Sequence, residues 1–287
     1  FRDAGEQTFS PTKKQTPMDI GMPWGVETLS REQRFAKAVN AGCDQLGGEE
    51  DVVTMLNAID NGLISESRID EAVYRMLVQK FEQGLFESPF VDATTAEELV
   101  GSGRARAAGR KAQRRSIICL KKPSSVNSST RYYLENFSLS QGGEVTSLND
   151  ADAAIIKLST PHQDLHPNFF FGSRQQEGDI DFKPTLQVAK RIKALSKKVP
   201  TIAVIQMSRP AVVTDIINDL DGLYVDLGVS DDLMINAISS QIETEGTLPF
   251  ELPRSMHAVR SQRPDYPSDS QDALFQVGAD YKNNEGL

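Results

Sequence analysis

From Ser116 onward the chain alternates short β-rich runs with helical ones, and that alternation limits the folds open to it. The runs "SIICL", "RYYL", "AAIIKL", "TIAVIQM" and "GLYVDLG" have the branched and aromatic content of strands. Between and after them, "TLQVAKRIKALSKK", "AVVTDIIN" and "DDLMINAISSQ" read as helices. Strands separated by helices of that length need crossover connections, so the expectation is an α/β fold: a parallel sheet with helices on both faces. The later stretch "GTLPFELPRSM", residues 246–256, is apolar but broken by Pro249 and Pro253, which lack a backbone donor. It is expected to lie along that sheet as an edge strand or strap.

Upstream the texture is helical. Residues 1–29 are rich in turn formers and read as a loop anchored by Trp24. Ser30 with Gln33 makes a capping-box pattern that opens a helix ended by Gly42. A second helix, "EEDVVTMLNAIDNG", has acids at its positive dipole end and Gly62 past its last turn. In the third, "SRIDEAVYRMLVQKFEQG", Ser67 is the expected N-cap and Gly84 the stop, while Ile69, Val73, Met76, Leu77 and Phe81 share one face. These apolar faces need a partner that the first 29 residues do not provide. Pro89 bars helix continuation, and a connector then feeds a basic helix bearing Arg104, Arg106, Arg110, Lys111, Arg114 and Arg115, read as a solvated or inter-domain face.

Composition removes some function classes. A formal net charge of -9 repels polyanions, and the basic helix has no aromatic interleaving for base stacking, so nucleic acid is not an expected partner. No apolar run approaches the roughly 20 residues of a membrane helix. Cys43 and Cys119 read as buried free thiols, with a single disulfide as the alternative. His162 and His166 flank Asp164, but Pro161 and Pro167 break any helix that would align them and no third ligand is evident, so no metal is expected. "GSGRARAAGR" lacks the lysine and the preceding strand of a phosphate loop, and no Gly-x-Ser-x-Gly elbow occurs.

Several blocks in order resemble glycoside hydrolase family 3, the retaining exo-acting β-glucosidases and their relatives. "GMPWGVETLSREQRFAKAVNAGCDQLGG" (21–48) is similar to the segment that closes the family's (β/α)₈-type barrel. "RIDEAVYRMLVQKFEQGLFESPFVD" (68–92) resembles its final barrel helix and the start of the inter-domain linker. "RRSIICLKK", "RPAVVTDI", "GTLPFELPRSM" and "DYPSDSQDALFQVG" resemble successive parts of its second, α/β sandwich domain. The resemblance implies three regions: residues 1–92 as the end of an incomplete barrel-type catalytic domain, 93–113 as linker and connecting helix, and 114–287 as the sandwich. It implies a glucoside or oligosaccharide substrate, no cofactor, and a periplasmic or secreted setting, although nothing in the residues excludes the cytoplasm. Oligomeric state is open.

Retaining glycosidases use two carboxyl groups about 5 to 5.5 Å apart, one as nucleophile and one as acid then base. The family's nucleophile is an Asp on a late barrel strand. Asp3 and Asp19 lie in loop sequence without such a strand, and aligning the GMPWGVE block places the nucleophile just before Phe1, so the chain alone is expected to be inactive. A whole barrel takes on the order of 250 residues. The family's acid/base comes from a variable sandwich loop, which corresponds here to "STPHQDLHPNFFFGSRQQEGDIDF" (159–182). Of Asp164, Glu177, Asp179 and Asp181, the leading candidate is Glu177, beside Gly178 in an aromatic-rich loop. Phe169, Phe170 and Phe171, with Trp24, are the candidate sugar-stacking residues, packing beneath the loop being the alternative. The rival functional reading is a non-catalytic carbohydrate-binding or structural module.

Overall fold

The computed structural model describes residues 12–16, 26, 28–47, 50–124, 126–138, 147–170, 174, 176–263 and 266–283. These fall into two compact units. One comprises residues 1–99 with 164–176, the other 100–163 with 177–287.

The first unit holds the early helices. In α1, Arg31–Asn40, the capping box is complete: Gln33 N donates to Ser30 Oγ at 3.2 Å, and Ser30 N to Gln33 Oε1 at 3.0 Å. In α2, Val52–Asp60, Asp51 caps by accepting from Thr54 N at 3.0 Å and Thr54 Oγ1 at 2.6 Å. Gly42 and Gly62 terminate these two helices at φ values of 107° and 69°, a left-handed backbone that only glycine adopts freely. The third helix, α3, spans Glu66–Glu82 and is capped by Ser65, not by Ser67 as expected. Ser65 has the extended backbone a cap requires and accepts from Arg68 N at 3.2 Å, whereas Ser67 already lies inside the first turn.

Ala36, Val39, Ala58 and Ile64 form a small core between these helices, with Ile69 of α3 against it. Arg68 staples α3 to the end of α1, donating to Val39 O at 3.0 Å and pairing with Asp44 at 2.9 Å. Of the rest of the expected α3 stripe Met76 is half-buried, whereas Val73, Leu77 and Phe81 are 41%, 38% and 60% exposed. Phe81 instead stacks on Phe86, with centroids 4.5 Å apart.

The second unit is built on a five-stranded sheet of order β1-β5-β4-β3-β2, comprising β1 Ile118–Lys121, β2 Tyr132–Glu135, β3 Ala153–Ser159, β4 Thr201–Gln206 and β5 Gly222–Asp226. The strands β2 to β5 are parallel and in sequence order; β1 runs antiparallel to β5 at one edge. The sheet is therefore mostly parallel, as expected of this α/β class, with β1 as an antiparallel edge strand. A strand buried on both faces, as Ile118, Cys119 and Leu120 are, carries no alternation from which its direction could be read.

Helix α6, Gln187–Ser196, covers one face with Ala189, Ile192 and Leu195 against Ile156, Ala203 and Ile205. Helix α7, Asp231–Ile238, covers the other with Leu233, Met234 and Ala237 against Ile155, Ile202 and Val204. "AVVTDIIN" is not a helix. Val212 is held extended, accepting from Phe182 N and donating to Ile180 O, so only a short 3₁₀ turn, Ile217–Asp219, remains of that run. Two further helices precede the sheet: α4, Ala93–Leu99, and the basic α5, Gly103–Arg115, neither with a buried residue. Both cysteines are free, but Cys43, just past the glycine that ends α1, is exposed, whereas Cys119 is buried and its thiol is pushed up to about 12 by that burial.

The strap also departs from expectation. Among the described residues of the strap only Gly246 bridges to the main sheet through its backbone, its N donating to Ile117 O at 3.2 Å in a parallel bridge to Ile118, while Leu248 and Leu252 are buried in the core with the sheet's side chains. Beyond Gly246, β6, Leu252–Pro253, pairs antiparallel with β7, Ala273–Phe275, in a separate two-stranded ribbon. Two prolines within five residues withhold the donors a longer ladder would need. A Cβ at position 246 would lie 2.7 Å from the Ile117 carbonyl oxygen, which only backbone movement could relieve. Gly246→Ala is accordingly expected to cost about 1–3 kcal/mol, as overpacking does, read as a lower urea midpoint; an unchanged midpoint would mean that the strap is not held against β1.

Candidate functional site

In open parallel sheets the loops beyond the carboxyl ends of the strands carry ligands and chemistry, because the scaffold holds their stems while their tips stay free to vary. The loop 159–182 leaves the end of β3. Thr160 N donates to Gln206 O at the end of β4, so the stem is tied to two adjacent strands. Residues 164–176 group with the first unit, where Gln15 N donates to Asn168 O at 2.8 Å and Phe170 N to Gln15 Oε1 at 3.1 Å. Glu177 returns the chain to the sheet unit.

The four loop carboxylates have different surroundings. Glu177 is half-buried, and its carbonyl accepts from Gln163 N at 2.8 Å and from Arg209 Nη2 at 3.2 Å. Asp164 is exposed. Asp179 pairs with Lys183 and Arg260, each at 2.6 Å. The Lys183 hydrogen bond above all, and the Arg260 one with it, hold its carboxyl below the usual carboxylate range, which unfits it to donate a proton near neutral pH. Asp181 Oδ1 lies 3.7 Å from the Lys183 ammonium and is buried without a hydrogen bond.

Of the aromatic candidates, Phe169 is 5% exposed and meets His166 edge-on at 5.5 Å, so its ring packs beneath the loop and presents no free face. Phe170 is half-buried. Phe171 and Trp24 lie outside the described residues, as do Asp3 and Asp19. Among the described residues no group of three or more His, Cys, Asp or Glu side chains is placed to hold a metal.

Two features were missed by sequence reasoning. Lys157 of β3 reaches Asp226 at 3.1 Å and Asp231 at 2.6 Å, joining the end of β5 to the start of α7. Asp226 also accepts from Gly228 N and Val229 N, at 2.8 and 2.7 Å, and Asp231 from Ser138 N at 2.6 Å. A cleft of about 740 Å³ opens beside this cluster, lined by Asn136, Lys157, Ser159, His162, Gln187 and Gln206 among others. The second feature is Arg209, just past β4, whose guanidinium meets three loop carbonyls. A lysine inside an otherwise apolar strand was the one available signal for the first; for Arg209 there was none, because its partners are backbone atoms.

No family model matches the chain. It is 39% identical over 271 residues to a periplasmic β-glucosidase/β-xylosidase of Dickeya chrysanthemi, an alignment covering 92% of this chain and 41% of that protein. It is 37% identical over 269 residues to a probable β-glucosidase C of Aspergillus oryzae, covering 89% of this chain and 41% of that one. Its fold is similar to that of an exo-1,3/1,4-β-glucanase from a Pseudoalteromonas species, with a TM-score of 0.60 at 21% identity over 88% of this chain and 39% of that chain. The chain thus spans about two fifths of the length of these curated relatives.

Proposed function

We propose that this chain, which belongs with the β-glucosidase-like glycoside hydrolases of family 3, works as part of an enzyme that releases terminal β-linked sugars with retention of configuration. The observation that carries this reading is the 39% identity sustained over 271 residues to a β-glucosidase/β-xylosidase. In this reading residues 1–92 are the end of the barrel-type catalytic domain, 93–113 link the domains, and 114–287 are the sandwich. The nucleophile carboxylate would lie outside these 287 residues, which span 41% of that relative.

The sandwich would contribute the second carboxyl group. Glu177 is the residue we assign to it: it stands where the loop rejoins the sheet unit, and its backbone is fixed by two hydrogen bonds. As acid it would protonate the departing glycosidic oxygen; as base it would then take a proton from the water that attacks the glycosyl-enzyme. The aromatic segment around Phe170, with Trp24, would offer ring faces to the apolar C–H faces of a sugar.

The test compares two polypeptides on aryl β-glucosides and β-xylosides: the 287 residues alone and the product of the complete reading frame that contains them. No turnover is expected from the first, and turnover with a β-configured first product, read by proton NMR, from the second. An inactive complete product would overturn the hydrolase reading. If the 287 residues then bound glucosides, carbohydrate binding without catalysis would replace it.

A further inference from the structure

The chain leaves the sheet unit after Gln163 and re-enters it at Glu177, and the groups that close this neck belong to the sheet unit. Gln163 and Glu177 form an isolated antiparallel bridge. Arg209 sends Nη2 to the carbonyls of Pro161 and Glu177, at 3.1 and 3.2 Å, and Nη1 to that of Gly178 at 3.3 Å. Its own carbonyl accepts from Thr160 Oγ1 at 2.9 Å, so both stems of the neck stand on the carboxyl ends of β3 and β4. Gln163 Oε1 accepts from Asp179 N at 3.2 Å, and its carboxamide lies over Gly178, where any Cβ would collide with it. Gln176 and Gly178, on either side of Glu177, have φ values of 50° and 73°, so the backbone at Glu177 is turned by two left-handed residues in three.

A backbone bridge and a glycine would suffice to close a loop. The guanidinium adds a cation whose burial lowers its own pKa, against the opposing charge of Glu177, and whose Nε is buried without a hydrogen-bond partner. Such a group costs folding free energy. What it supplies in return is a planar fork that fixes three carbonyls at once, a geometry that lysine cannot reproduce.

We propose that Arg209 is a positioning residue for Glu177: by clasping the carbonyls of Pro161, Glu177 and Gly178 it closes the neck of the 164–176 excursion and sets where the Glu177 carboxyl points. The inference rests on the reading of Glu177 as the acid/base. General-acid help matters most when the leaving group is a poor one, since an activated phenolate departs without a proton. A misplaced acid therefore changes the ratio of rates on the two kinds of substrate, which a general loss of folded protein does not.

The experiment measures kcat/KM of the complete polypeptide on an alkyl β-glucoside and on 2,4-dinitrophenyl β-glucoside for Glu177→Gln, Arg209→Met and Arg209→Lys. Arg209→Met is expected to lower the alkyl rate at least about tenfold more than the dinitrophenyl rate, with Arg209→Lys between it and the parent. If Arg209→Met does not accumulate as folded protein, Arg209→Lys carries the same comparison. Equal losses on both substrates in the Arg209 variants, with Glu177→Gln selective, would overturn the positioning role and leave the acid assignment standing. Selectivity in the Arg209 variants without selectivity in Glu177→Gln would overturn the assignment of Glu177 and this inference with it.

Discussion

Glu177→Gln in the complete polypeptide is expected to lower kcat/KM on an alkyl β-glucoside by about 10²- to 10⁴-fold, the range that a positioned general acid contributes. Glutamine keeps the size of the side chain and removes the proton, so binding and the local fold should change little. The half-buried setting of Glu177 makes the isosteric change tolerable, and its backbone contacts do not involve the carboxyl group. Glu177→Ala gives a second, independent readout. Once the base is gone, water attacks the glycosyl-enzyme slowly, but azide needs no deprotonation; it bonds to the anomeric carbon as the enzyme carboxylate leaves, giving a β-glycosyl azide. Restored turnover with that product would assign both halves of the acid/base role to Glu177. A fall of less than about tenfold on the alkyl substrate, with no azide product, would move the role to another carboxylate of the loop. Asp179 is the poorest successor, since Lys183 and Arg260 hold it ionised.

How far the sequence foretold this molecule depended on where the partners of each residue lie along the chain. The start of α1 and the stops of α1 and α2 were legible because capping is local: Ser30 finds Gln33 three residues on, and Gly42 and Gly62 need no partner beyond their own backbone. The parallel core was legible because alternation of strand and helix constrains connections. The direction of β1 was not, because its run is buried on both faces. "AVVTDIIN" misled because Val212 pairs with backbone some thirty residues upstream, a tertiary capture that overrides helical spacing. At the candidate site, the loop and its carboxylates could be named from resemblance, but not their electrostatics. Asp179 and Glu177 are two residues apart, and only the fold brings Arg260 to the one and Arg209 to the other. Phe169 and Phe170 are likewise adjacent, yet only the first is buried.

Lys157→Met is expected to destabilise the sheet unit by about 3–5 kcal/mol, the cost of removing one partner from a buried ion pair. Asp226 is 1% exposed, and its side chain and that of Asp231 both close on the lysine ammonium. Without it, the buried Asp226 carboxylate would stand opposite that of Asp231 with no cation between them. The pH dependence provides the check. Burial by itself would depress the Lys157 pKa, but the hydrogen bonds to Asp231 and Asp226 outweigh it, and the net shift is upward from the ordinary value of 10.5. A cation whose folded pKa is raised contributes stability that is fully present below the unfolded pKa and is lost as pH rises through the folded one. The parent chain should therefore lose urea stability on going above about pH 10.5, and Lys157→Met should lose less over that window, since it has no ammonium to deprotonate. The double variant Lys157→Met with Asp231→Asn should recover part of the loss by removing one of the two opposed charges, which would make the energetics those of the cluster and not of methionine packing. A single-variant cost under about 1 kcal/mol, the range of exposed pairs, would mean that solvent reaches the cluster and that its charges are screened.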